Sequence, residues 1–241
     1  MRQHTKTLGA LALFLCCSLL LCGVFRHWDA YLSIQANTEP IAPPILILDA
    51  GHGGEDAGAI GTNGVLEKDL NLSLTQALAA LLRAAGYTVV ETRTEDRLLY
   101  TQGIQRGHKK QSDLANRLTV TEEYENSILI SIHMNTFPND TCRGLQVWYS
   151  QNDARSAPLA ECIQSKAKEL LQPQVHRKIK AATSSIYLLR HARVPAVLVE
   201  CGFLSTPAEC ALLCDATYRQ MLALCLFEAI CEKIPADSCA I

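Results

Sequence analysis

The chain has no long basic run, and its charges nearly cancel: 22 Lys and Arg against 24 Asp and Glu leave a formal net charge of −2. A protein that neutralises nucleic-acid phosphates leaves a basic footprint, so nucleic acid is not an expected partner. The one basic cluster, Arg106, His108, Lys109 and Lys110, reads as a solvated loop. No internal repeat and no second domain are visible. No His-Glu-x-x-His helix is present, which rules out a zincin-type site. The glycine-rich turn over 51–64 lacks both the G-x-G-x-x-G order and a Lys-Ser/Thr ending, so it is not a phosphate-binding loop. Cysteine is not scarce, at eleven residues. Cys16, Cys17 and Cys22 lie in an apolar N-terminal segment, and the other eight are spread through helical or core-like sequence. Their spacing matches no disulfide framework, and a body of this size does not need one. Cys210 and Cys214 share a helix face with no second clustered pair, and read as small core residues.

What is present begins with a targeting segment. Arg2 and Lys6 precede the uncharged apolar run Leu8–Phe25, long for a cleavable signal and close to a membrane thickness. No small-x-small cleavage site follows, and Leu20-Leu21-Cys22 lacks the small residue expected before a lipidated cysteine. Residues 1–26 are therefore expected to form an uncleaved signal anchor with the N-terminus inside, a cleaved signal being the alternative. Either way the body is extracytoplasmic, membrane-anchored or secreted. Residues 27–44 read as a linker stiffened by Pro40, Pro43 and Pro44. Residues 45–236 are the folded body.

Within the body, strands are expected at Ile45–Asp49, Tyr87–Thr92, Ser127–His133, Gly144–Ser150 and Ala196–Glu200. The stripe Leu70, Leu74, Leu78, Leu81, Leu82 marks a helix over Asp69–Ala85. Further helices are expected from Asp113, as N-cap, to Glu123, and over Ala157–Leu171, Pro207–Leu213 and Tyr218–Lys233. Ile186–Leu189 reads as a short strand or turn, and 93–112 as a long loop of the kind that tends to be functional. The strand–helix–strand order implies right-handed parallel crossovers. The fold class is α/β: a single domain with a mixed, mostly parallel twisted sheet and helices on both faces.

Three apolar strands deliver lone polar residues at their carboxyl ends. Ile45-Leu-Ile-Leu-Asp49 runs into the turn bearing His52, Ile128–Ile132 ends at His133, and Ala196–Val199 ends at Glu200. Ligands of open α/β sheets bind at that edge. A catalytic zinc site needs three protein ligands and one open position. His52, Glu67 and His133 can supply the ligands, and Glu200 can supply the base that moves a proton from water to a leaving amine. Glu67 also stands in the first turn of a helix, where the dipole favours an acid. An unpaired carboxylate after four apolar residues would be costly, so Glu200 has few purely structural explanations. Cys201, just inside a strand end, reads as core rather than as a nucleophile.

Several stretches together resemble the zinc-dependent N-acetylmuramoyl-L-alanine amidases. They are Asp49-Ala-Gly-His-Gly-Gly with Asp56-Ala-Gly, Glu67-Lys-Asp-Leu-Asn71, Thr92-Arg93, Leu114-Ala-Asn-Arg117, Ser131-Ile-His-Met-Asn135 and Pro195–Ser205. The resemblance implies one Zn2+ ion on His52, Glu67 and His133, with Glu200 in catalysis. It implies peptidoglycan as substrate, cut at the amide between muramic acid and L-alanine. Asn135 is then a candidate for hydrogen-bonding a metal ligand or the substrate, and Arg190 a candidate for binding a stem-peptide carboxylate. A single catalytic domain behind an anchor, without wall-binding repeats, resembles the germination-specific members. That implies spore-cortex peptidoglycan and muramic δ-lactam formation. The connections 136–143 and 151–156 are too short for an occluding insert, so control falls to expression or to a regulatory partner protein. A catalytically silent peptidoglycan-binding protein and a related zinc peptidase or deacetylase stand as alternatives.

Overall fold

The computed structural model describes residues 43–139 and 141–234. The expected anchor, and the linker through residue 42, lie outside the described residues. Among the described residues no single helix is long and apolar enough to cross a membrane. The elements are β1 (Ile45–Ala50), α1 (Glu67–Ala84), β2 (Val89–Glu91), α2 (Lys109–Glu122), β3 (Ser127–Asn135), β4 (Gln146–Tyr149), α3 (Ser156–Leu170), β5 (Lys180–Ala181), α4 (Tyr187–His191), β6 (Ala196–Phe203), α5 (Pro207–Cys214) and α6 (Ala216–Lys233).

Six strands form one sheet in the order β2-β1-β3-β6-β4-β5. The first four run parallel, β4 runs antiparallel to β6, and β5 pairs parallel with β4. The two faces follow from strand alternation. Leu46, Leu48, Ile128, Ile130, Ile132, Val197 and Val199 point to one side, where they meet the leucines of α1 and Leu222, Leu226 and Ile230 of α6. Ile47, Leu129 and Leu198 point to the other, under Leu188 and Leu189 of α4 and against Leu114 and Leu118 of α2. Burying each such side chain stabilises the fold by about 1.5–3 kcal/mol, so a one-residue slip that exchanged the faces would be prohibitive.

That fixed register sets up the site. On the second face the apolar series stops short of the carboxyl ends. Ile47 is followed by Asp49, Leu129 by Ser131 and His133, and Leu198 by Glu200. Asp49 lies opposite Ser131, and His133 opposite Glu200.

Three expectations need correction. Asp113 is not an N-cap: α2 begins at Lys109, and the Asp113 carboxylate accepts from Leu99 N and Arg117 Nε instead. Ile186–Leu189 is not a strand; Tyr187–His191 forms a helical turn closed by Arg190 N donating to Ile186 O. Periodicity cannot separate strand from helix in so short an apolar run. β6 does not stop at Glu200 but continues to Phe203. His133 pairs with Glu200 and Asn135 with Phe203, so β6 carries one extra residue, a bulge spanning Gly202.

The seven cysteines among the described residues are free thiols. Cys210 and Cys214 both touch the Asn63 side chain, and Cys210 is buried as expected.

Candidate metal centre

His52 has φ +61 and is the non-glycine residue with positive φ among the described residues. Such a conformation is uncommon, and the surroundings must enforce it. Arg117 Nη2 donates to His52 O at 2.7 Å, and Nη1 to Ala50 O at 2.8 Å. Arg93 donates to Ala50 O and Gly51 O at 2.9 and 3.0 Å, and Asn71 Nδ2 to Gly51 O at 3.1 Å. Two buried guanidinium groups therefore hold the carbonyls of three successive residues, and with them the histidine turn.

Glu67 is the first residue of α1 and reaches back into this turn. Its Oε1 lies 3.0 Å from His133 Nδ1, and its Oε2 lies 3.3 Å from His52 Nε2. Ala59 N and Met134 N donate to the same carboxylate, at 2.8 and 3.1 Å. Burial alone would raise its pKa, but the two histidines outweigh burial and hold it well below the usual carboxylate range. The rings of His52 and His133 meet edge to face with centroids 5.0 Å apart. One donor atom from each of His52, Glu67 and His133 falls within 4.8 Å of the others.

Two glycines make the room. A Cβ on Gly51 would lie 2.2 Å from His133 Cε1. A Cβ on Gly58, at φ +66, would lie 2.6 Å from Glu67 Oε2 and 2.7 Å from His52 Cδ2. Any larger residue at either position would displace a donor.

Glu200 projects from β6 beside His133, about one strand spacing away. Its Oε2 is buried and accepts no hydrogen bond. Burial lifts its pKa to about 7, against the attraction of His133. Cys201 points to the other face, into the core, and burial pushes its thiol well up, which removes the nucleophile reading.

The other candidates separate. Asn135 ends β3 two residues beyond His133 and is half-buried, its carbonyl accepting from Leu204 N. Arg190 is not brought to this edge. Its carbonyl is bound by Asn152, which follows β4 beside the amino end of β6, and its side chain is exposed.

Asp49, Asp56, Arg93 and Arg117 stand in the family-like stretches, yet no role for them follows from the sequence. The unused signal was a charged residue directly after an apolar strand, and the Asp113/Arg117 spacing of one helical turn. Asp49 accepts from Arg117 Nη1, Thr92 Oγ1 and Ser131 Oγ at 2.7, 2.7 and 2.6 Å. Burial would raise its pKa; Arg117, Ser131 and Thr92 overcome that and bring it to about 2. Because the folded value lies below the ordinary aspartate value of about 3.9, Asp49 stabilises the fold above that pH, and the contribution fades as pH falls toward 2. Arg117→Met strands this carboxylate and is expected to cost about 3–5 kcal/mol near neutral pH. Urea unfolding should show that cost shrinking from pH 7 to pH 3; a loss independent of pH would refute the pairing.

Comparison with known proteins agrees with this geometry. The family model for N-acetylmuramoyl-L-alanine amidase (Amidase_3) matches residues 46–232. The germination-specific N-acetylmuramoyl-L-alanine amidase of Bacillus subtilis is 32% identical over 231 residues, 95% of each chain. The probable cell wall amidase LytH of Staphylococcus aureus is 30% identical, over 86% of this chain and 66% of its own. Among solved structures, the CwlD amidase from Clostridioides difficile, in complex with the GerS lipoprotein, superposes with a TM-score of 0.76 at 35% identity. That match covers 80% of this chain and all of the other. The α/β sheet with a polar cluster at its carboxyl edge is thus a hydrolase scaffold of known type. The chain belongs to the N-acetylmuramoyl-L-alanine amidase family.

Proposed function

We propose that this protein is a zinc-dependent amidase that hydrolyses the bond between the lactyl carbonyl of N-acetylmuramic acid and L-alanine in peptidoglycan. The observation that carries the reading is the convergence of His52, Glu67 and His133 beside the buried, unpartnered Oε2 of Glu200. Two imidazoles and one carboxylate from separate elements are a donor set suited to catalytic zinc, so the residues fit the ion. When bound, zinc supplies Lewis acidity that polarises the amide carbonyl and makes nearby water acidic near neutral pH.

The chain's own residues do the rest. Glu200 takes the proton of the attacking water and passes it to the leaving nitrogen. A C–O bond forms, the amide C–N bond breaks, and a muramoyl carboxylate and a peptide with a free amino terminus result. A largely buried carboxylate with a pKa lifted to about 7 is basic enough to accept that proton and acidic enough to release it. Asn135, two residues past His133 on β3, is assigned a substrate hydrogen bond in this reading. Arg190 has no part in this reading.

The name of the Bacillus subtilis relative, germination-specific, supports a role in spore germination; the family resemblance adds spore cortex as the working substrate and muramic δ-lactam formation as the outcome. The GerS complex of the Clostridioides difficile relative supports control by a separate regulatory partner protein. The cell wall amidase relatives support an extracytoplasmic body; the apolar run within residues 1–26 is read as its membrane anchor, with secretion after cleavage as the alternative.

Mass spectrometry of purified sacculi digested with the protein tests the reaction. Stem peptides with free L-alanine amino termini are expected. Release of acetate would mean a deacetylase, other peptide ends a peptidase, and no release a binding protein.

A further inference from the structure

We infer that Asp56 is the positioning residue for the His52 ligand, and that Lys110 of α2 holds Asp56 in place. The inference rests on the metal reading above and adds to it a Lys110–Asp56–His52 chain that makes zinc affinity depend on the start of α2.

The geometry divides the two nitrogens of His52. Nε2 faces Glu67 Oε2 at 3.3 Å and so turns toward the donor cluster. Nδ1 turns away, is buried, and has no aligned hydrogen-bond partner; its close neighbour is Asp56 Oδ2 at 3.0 Å, off the line of a good hydrogen bond. An imidazole that ligates through one nitrogen must keep its proton on the other. A carboxylate at that second nitrogen fixes the tautomer and the ring plane and makes the ligand more basic. Asp56 is itself anchored. Its backbone N and O pair with those of Gly53, both at 3.0 Å, and Gly58 N donates to Oδ1 at 3.2 Å. This leaves Oδ2 for His52 and for Lys110 Nζ, 3.5 Å away.

Lys110 belongs to the basic cluster that reads as solvated loop in the sequence. The structure places part of that cluster on the histidine turn: Lys109 Nζ lies 2.7 Å from Glu55 Oε1, next to the Lys110–Asp56 contact. The Lys110 side chain is 70% exposed, so its pull is screened and its effect is the smaller of the two.

The test is zinc affinity of the full chain, read by competition with a chromophoric chelator, for wild type, Asp56→Asn, Lys110→Gln and the double variant. Asp56→Asn is expected to bind zinc about 10- to 100-fold more weakly. Lys110→Gln should bind roughly 2- to 5-fold more weakly, and adding it to Asp56→Asn should change nothing further. The melting temperature of the zinc-free chain separates positioning from simple structural support. Positioning leaves it near the wild-type value and lowers only the rise that zinc produces. Asp56→Asn affinity within two-fold of a wild type that binds zinc overturns the inference. If Asp56→Asn fails to fold, unchanged affinity in Lys110→Gln overturns it instead. A wild-type chain that binds no zinc removes the metal reading itself and this inference with it.

Discussion

Glu200→Gln is expected to keep the fold and bind zinc as wild type does, yet to lose about two to four orders of magnitude in turnover on peptidoglycan. The amide matches the carboxylate in size and shape, so the pocket beside His133 stays filled and the bulge in β6 is undisturbed. What disappears is the capacity to accept a proton. Glu200 stands outside the group of three donors that converge, so its replacement should spare the metal. Removal of a charge whose Oε2 is buried with no hydrogen-bond partner also relieves desolvation, and the variant should unfold at the same or a slightly higher temperature. That combination is the signature of a residue kept for chemistry rather than stability. The measurement pairs initial rates of stem-peptide release with zinc content and thermal unfolding. A variant at the wild-type rate would show that another group moves the proton.

Metal removal should have the second large effect. Dialysis against a strong chelator is expected to abolish stem-peptide release, and a stoichiometric amount of zinc to restore it. Arg93, Arg117 and Asn71 hold the carbonyls of the histidine turn without using any of the three donor atoms, so the frame of the cluster does not depend on the cation. The zinc-free chain should therefore stay folded and reload quickly, unlike small domains whose folding free energy is metal binding itself. Full turnover in a preparation shown by elemental analysis to hold no metal would overturn the proposed chemistry.

The four central residues were readable because each is a lone polar group where an apolar strand ends or a helix begins. Burial without a partner is expensive there, so a bland explanation is hard to find. The frame that holds them was harder to read. Asp49 finds Arg117 on another element, and nothing local announces that pairing. Asp113 carries the cap-like chemistry of an aspartate ahead of a helical pattern, but Leu99 N and Arg117 take it up inside α2. The last strand reads as ending at Glu200, but it runs on to Phe203 through a one-residue register shift that no local pattern announces. Arg190 shows how far charge alone misleads: an arginine a few residues before the last strand belongs, by topology, to the amino edge of the sheet.

Because β4 runs against β6, the chain leaving Tyr149 emerges at the same rim of the sheet where β1 begins, opposite the carboxyl edge that bears His133 and Glu200. Cargo attached at the exposed positions Gln151 or Ala154, such as a fluorophore, an affinity handle or a surface tether, would hang on that rear side, away from the edge where His52, Glu67 and His133 converge. The glycine-lined turn over 51–58 and the β6 bulge offer no comparable tolerance, so immobilised or displayed forms of the enzyme are best built from the back.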